Sequence, residues 1–148
     1  MQEGKRILVL EDERRWQREL SRLLEDEGYE VSLTDKYDHA VELVRSRNML
    51  VAVVDVSLIP GDGYDRQGIR FMEGAGIPVV CVSGYLREEE VNEMIRTGNA
   101  EWFFSKQTFA GNEQQFLDAV EYAMTVSQHE IIGRWEALEA RMISHRRD

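Results

Sequence analysis

The chain has 148 residues, room for one domain and a modest appendage rather than two full domains. A composition of 43% hydrophobic and 31% charged residues suits a folded soluble protein, and the net charge of −10 argues against binding nucleic acid or an anionic membrane. The single cysteine, Cys81, excludes an internal disulfide and a cysteine metal cage, and its apolar setting in "PVVCVSG" reads as a buried small hydrophobe.

The first apolar run, Ile7–Leu10, is too short for a signal peptide or a membrane span, so a cytoplasmic protein is expected. Glu11 and Asp12 follow it. A helical segment comes next, with Trp16, Leu20, Leu23 and Leu24 on one face and Gly28 as its stop. Val31–Leu33 is a second strand, and Ala40, Val41 and Val44 mark a second helix. The third strand, Leu50–Val56, is almost wholly apolar yet carries Asp55, whose charge is costly to bury without a partner.

The loop "SLIPGDGYD" reads as a surface connection leading to a third helix that begins near Asp65, with Ile69, Phe71 and Met72 inward. Pro78–Val82 is a fourth strand ending at Ser83 and Gly84. Val91, Met94 and Ile95 mark a fourth helix closed by Gly98. Trp102–Phe104 is the fifth strand, followed by Lys106. A fifth helix opens with Asn112 as N-cap and Gln115 at the capping-box position.

Five strand–helix units in succession imply an α/β fold, a parallel sheet with helices on both faces. Sites in such sheets form outside the carboxyl ends of the strands. Those ends carry Glu11, Asp12, Asp55, Ser83 and Lys106. Taken singly, each has an ordinary role: Glu11 and Asp12 suit the first turn of a helix, Asp55 a turn, Ser83 a cap and Lys106 the surface. Their convergence on one sheet edge favours a site.

Three neighbouring carboxylates repel unless a cation intervenes, and Mg²⁺ suits oxygen ligands shared with a phosphate. Asp55 is then placed as a carboxylate nucleophile, Ser83 as a donor to a phosphoryl oxygen, and Lys106 as a point charge that pairs with Asp55 when no phosphate is present.

In this order and spacing, "ILVLEDE", "VVDVSLIPGDG", "VVCVSGY" and "FFSK" resemble the four signature regions of the receiver domains of two-component response regulators. The resemblance covers about residues 5–126. It implies a flavodoxin-like, doubly wound, five-stranded parallel sheet of strand order 2-1-3-4-5 with five flanking helices. It also implies that Asp55 accepts a phosphoryl group from a histidine of a sensor kinase or phosphotransfer protein. Glu11 and Asp12 match the acidic pair that holds Mg²⁺, Asp12 as direct ligand, with the backbone carbonyl of Ser57 completing the set. Ser83 matches the hydroxyl residue, Lys106 the lysine, and Phe103 the aromatic that turns inward on switching. Ser57 and Tyr85 occupy positions that tune the lifetime of the phosphoryl group. The switch alters the face of helix 4, strand 5 and helix 5, through which a downstream protein is contacted or a homodimer forms.

One departure is Gln107, where the family usually has proline after the lysine, often with a cis bond. A cis bond before glutamine costs about 2.5–4 kcal/mol, so a trans bond or a local rearrangement is expected.

With residues 1–126 as receiver, residues 127–148 form a helical extension, either a longer helix 5 or a sixth helix broken near Gly133. Leu117, Met124, Ile131 and Leu138 recur every seven residues, with Trp135 and Met142 nearby. Such a stripe suits a short coiled coil with a second copy, or a helix folded back on its own domain. His39, His129 and His145 read as solvated polar residues.

The leading expectation is therefore a phosphorylation-controlled signalling module, not a turnover enzyme on external substrates. Two rivals stand beside it. A haloacid dehalogenase-like phosphohydrolase needs a second aspartate two residues after the nucleophile, where this chain has Ser57. A pseudo-receiver would bind partners irrespective of phosphorylation; Gln107 favours it, and the intact acidic pair, Asp55, Ser83 and Lys106 oppose it.

Overall fold

A computed structural model describes residues 4–56, 67–84, 88–97, 100 and 102–127. Its strands are β1 (Arg6–Leu10), β2 (Glu30–Thr34), β3 (Met49–Val54), β4 (Val79–Ser83) and β5 (Trp102–Ser105). Its helices are α1 (Arg14–Asp26), α2 (Tyr37–Ser46), α3 (Gln67–Gly74), α4 (Glu88–Thr97) and α5 (113–127), with a short 3₁₀ turn at Lys106–Thr108.

All strand pairs are parallel and the order is β2-β1-β3-β4-β5, the expected doubly wound sheet. Residues alternate between faces along each strand, as the pleat requires. Ile7, Val9, Val51, Val53, Val80 and Val82 pack with Leu20 and Leu24 of α1 and Phe116, Val120 and Met124 of α5. Leu8, Leu10, Ala52, Val54, Val79 and Cys81 face the opposite layer with Ala40, Phe71, Met72 and Met94. Apart from Arg6 at the start of β1 and Ser83 at the end of β4, strands β1, β3 and β4 are therefore apolar, because both of their faces are covered. Cys81 is fully buried, as its apolar run implies, and burial pushes its thiol pKa up.

Gly28 takes a positive φ of 90° just past α1, the left-handed conformation that ends a helix and that glycine adopts without a Cβ clash. His39 is exposed, but it is not without a partner: its Nδ1 lies 2.8 Å from Thr34 Oγ1.

Of the first two members of the heptad stripe, Met124 is buried in the domain core and Leu117 is partly buried against it. Residues 128–148 of the expected extension, Ile131 and Leu138 among them, lie outside the described residues. So do the onset of the third helix near Asp65, the loop 57–65 and Gly98.

Candidate functional site

Strand register sets the site. Leu10 pairs with both Thr34 and Val54, so β1, β2 and β3 end level. Glu11 and Asp55 are the next residues out. Their backbones continue the ladder, Glu11 N–H donating to Thr34 O at 3.0 Å and Asp55 N–H to Leu10 O at 2.9 Å. Both side chains are buried, Glu11 at 1% exposure and Asp55 at 4%. One strand further, Ser83 pairs with Ser105, which delivers Lys106 to the same edge.

Asp55 is bracketed. Ser83 Oγ donates to its Oδ1 at 2.9 Å and Lys106 Nζ donates to its Oδ2 at 2.8 Å. The Lys106 ammonium also donates to Glu11 Oε1 at 2.6 Å and Glu13 Oε1 at 3.3 Å, using its three protons. A charge at the end of a buried strand is thus compensated, largely by Lys106. Burial works against the charged form of Lys106, but Glu11 and Asp55 outweigh it and raise its pKa.

The acidic pair is under the opposite stress. Burial first, and then the Asp55 charge, push Glu11 upward against the pull of Lys106. The same two causes push Asp12 up to about 6. Glu11 Oε1 also accepts the Glu13 backbone N–H at 3.3 Å, but α1 begins only at Arg14 with no acidic residue in its first turn, so Glu11 and Asp12 serve the site and not the helix start.

Carboxylate oxygens of Glu11, Asp12, Glu13 and Asp55 lie within 4.8 Å of one another. Within this cluster Glu11 Oε2 and Asp12 Oδ1 are buried with no hydrogen-bond partner among the described residues. Two orphaned anionic oxygens in an all-oxygen set fit a hard divalent cation such as Mg²⁺, which would neutralise the charge and polarise a bound phosphate.

Gln107 departs from the family pattern, and the bond before it is trans. No described peptide bond is cis. Instead Lys106–Thr108 forms the 3₁₀ turn, capped by Ser105 Oγ, which accepts the Gln107 N–H at 3.2 Å.

Three contributors escaped the sequence reading. Glu13 stands immediately after the acidic pair, a position that could have flagged it. Trp16, expected only as a core residue of the first helix, is half-buried and lies 5.5 Å from Lys106 Nζ, measured to the ring centroid. Gly68 packs the start of α3 onto the end of β3: its N–H donates to Val56 O at 3.0 Å, and a Cβ there would meet Asp55 O at 1.9 Å. A lone glycine at a helix start carries little signal without a fold to place it.

Phe103 is half-buried against the cluster that contains Met94 and Ala100, on the α4 side of β5. Ser57 and Tyr85 lie outside the described residues.

Residues 7–121 match the family described as response regulator receiver domain. The chain belongs to that family. A transcriptional regulatory protein ZraR of Escherichia coli O157:H7 is 28% identical over 143 residues, covering 90% of this chain and 32% of the regulator; the chain thus spans about a third of that relative's length. An uncharacterized 14.6 kDa protein of Leptolyngbya boryana is 30% identical over 94 residues, 62% of this chain and 72% of that protein. The fold is shared with a CheY-like receiver domain from Methanospirillum hungatei JF-1, at TM-score 0.71 and 23% identity over 85% of this chain and 98% of that one. An N-terminal domain of a response regulator/sensory box/GGDEF protein from Carboxydothermus hydrogenoformans gives 0.66 and 25% identity over 86% and 99% of the two chains.

Receiver domains of this family are signalling modules of two-component systems. Among the described residues no helix is long and apolar enough to cross a membrane.

Proposed function

We propose that Asp55 is the phosphoacceptor of a phosphorylation-controlled signalling receiver. The observation that carries this reading is the bracketing of a buried Asp55 by Ser83 and Lys106 beside the Glu11/Asp12 pair. In the transfer, a carboxylate oxygen of Asp55 forms a bond to the phosphorus of a phosphohistidine. The N–P bond breaks, and the imidazole of the partner kinase or phosphotransfer protein leaves with the bonding pair. Such transfers depend on positioning and charge neutralisation more than on acid–base chemistry.

Each residue supplies part of that. Ser83 Oγ, now donating to Asp55, has a donor within reach of a phosphoryl oxygen on the same carboxylate. Lys106 presents a point charge to another oxygen. Glu11 and Asp12, with Asp55 and the backbone carbonyl of Ser57, would hold Mg²⁺, which supplies electrostatic neutralisation of the phosphoryl oxygens. Phe103 is the switching aromatic, and Ser57 and Tyr85 set access of water to the product.

The partners on this reading are a cytoplasmic sensor histidine kinase or phosphotransfer protein and a downstream protein. The downstream contact is made through α4, β5 and α5, which also offer a homodimer face; residues 127–148 offer a second one. Nucleic acid and membrane are not partners of an acidic receiver with this charge. Residues 1–126 are the receiver unit.

Intact mass after incubation with Mg²⁺ and acetyl phosphate tests the reading. A gain of one phosphoryl group in the parent, absent in Asp55→Ala, is expected. No gain in a folded, Mg²⁺-bound parent would favour a phosphorylation-independent binding module. Catalytic release of phosphate from a generic monoester would favour the hydrolase.

A further inference from the structure

The three hydrogen-bond partners of Lys106 among the described residues are Glu11, Glu13 and Asp55. All three also belong to the four-carboxylate cluster that fits a divalent cation. A cation at that cluster therefore competes with the lysine for every anion that now holds it. One contact is outside this competition: the Lys106 ammonium lies 5.5 Å from the centroid of the Trp16 ring. An indole face attracts an ammonium but offers no oxygen to a hard cation.

The ring is itself fixed. Phe109, fully packed in the core, meets Trp16 edge-on at 5.2 Å, and Phe116 of α5 meets Phe109 at 5.3 Å. Trp16 is thus a rigid wall beside the lysine, carried by α1 and backed by α5.

We infer that Trp16 is a positioning residue that keeps the Lys106 ammonium beside Asp55 when a divalent cation takes its carboxylate partners. This rests on Asp55 as phosphoacceptor for its consequence in rate, but not for its spectroscopic signature. The contact costs the protein nothing in metal affinity, because the indole adds no charge to the cluster.

The chain has only three lysines, Lys5, Lys36 and Lys106, so a sample labelled with ¹³C at lysine Cε gives three resolvable signals. The Lys106 signal is assigned by its loss in Lys106→Arg. Protons held over an indole face are shielded, so the Lys106 ε-CH₂ is expected upfield of the other two and to remain there with saturating Mg²⁺. In Trp16→Leu with Mg²⁺ it is expected at the ordinary lysine position; in Trp16→Phe it keeps part of the shift. Phosphorylation by acetyl phosphate at saturating Mg²⁺ is expected to slow roughly three- to thirtyfold in Trp16→Leu and to be largely retained in Trp16→Phe. Mg²⁺ affinity measured by calorimetry is expected within about twofold of the parent in both variants.

An unshielded Lys106 signal in the Mg²⁺-loaded parent would overturn the inference, as would equal rates or equal shifts in the Leu and Phe variants. If the parent takes up no phosphoryl group, the reading of Asp55 fails, and the lysine signal still decides whether Trp16 holds Lys106.

Discussion

The Gln107 backbone N–H donates to Ser105 Oγ at 3.2 Å, and this one bond caps the turn that carries Lys106 to the site. Proline at 107 would remove the donor and disfavour the helical backbone of Lys106. The serine side chain is therefore part of how this chain positions its lysine without proline. Ser105→Ala is expected to cost about 1 kcal/mol, the usual value of a side-chain cap, and to slow phosphoryl uptake. Ser105→Thr retains the acceptor and is expected to stay near the parent in both. Urea midpoints and phosphorylation rates measure this; an alanine variant matching the parent in both would remove Ser105 from the account.

Gly68 leaves no room for a side chain. A Cβ would lie 1.9 Å from Asp55 O and 2.7 Å from Val56 Cα and O, all backbone atoms that cannot rotate away. Gly68→Ala is expected to lose about 1–3 kcal/mol by overpacking and to shift the end of β3 that presents Asp55, lowering phosphorylation further than stability alone explains. Gly74 in the same helix meets nothing within 4 Å, so Gly74→Ala is expected to be neutral or to gain up to about 1 kcal/mol. Thermal midpoints of the two variants check the contrast. Equal tolerance of both would mean that α3 can slide away from Asp55.

How much of this was legible beforehand follows from the kind of interaction involved. Apolar runs such as Leu50–Val54 announce strands covered on both faces, because burial leaves a direct mark on residue type. With the strands placed, the sheet edge followed, and Glu11, Asp12, Asp55, Ser83 and Lys106 were readable as its occupants. Trp16 was not, because one aromatic on a helix face satisfies the core pattern whether or not a cation rests against it. The Gln107 turn was open between a trans bond and a rearrangement, since it depends on a hydrogen bond between residues 105 and 107 that no spacing encodes. Leu117 and Met124 show an ambiguity of the opposite kind. A seven-residue stripe fits a seam with another chain and a core-facing helix equally, and here those two positions face the core.

Asp12 is held where its charge is unwelcome. Burial and Asp55 both penalise the carboxylate, and its Oδ1 is buried without a partner among the described residues. Removing that charge with little change of shape relieves the metal-free protein, with a gain limited by solvent screening to about 1 kcal/mol or less. In a chelator, Asp12→Asn is expected to melt about 2–4 °C above the parent or level with it. Saturating Mg²⁺ is then expected to raise the parent's midpoint and to leave the variant's almost unchanged, because a neutral amide is a poor ligand for this ion. A variant that gains as much from Mg²⁺ as the parent would place the ion elsewhere.

Lys106 plays the reverse part, and its removal separates stability from metal affinity. Its side chain is 8% exposed, and its ammonium pairs with Glu11, 1% exposed, and Asp55, 4% exposed. Lys106→Met keeps most of the stem's volume and leaves those two buried carboxylates facing each other with no cation between them. In a chelator the loss is expected near the lower end for a broken buried pair, about 3 kcal/mol. Mg²⁺ binds that same surplus of negative charge, and in the variant it no longer competes with an ammonium for Glu11 and Asp55. Its affinity is therefore expected to rise, and the Mg²⁺-induced gain in midpoint to exceed the parent's. Phosphoryl uptake is expected to fall despite the tighter metal, because the charge that meets a second phosphoryl oxygen is gone. Calorimetric Mg²⁺ titrations and melting curves with and without chelator measure the first two effects, and intact mass the third. Weaker Mg²⁺ binding in Lys106→Met would mean that the lysine organises the acidic cluster instead of competing for it.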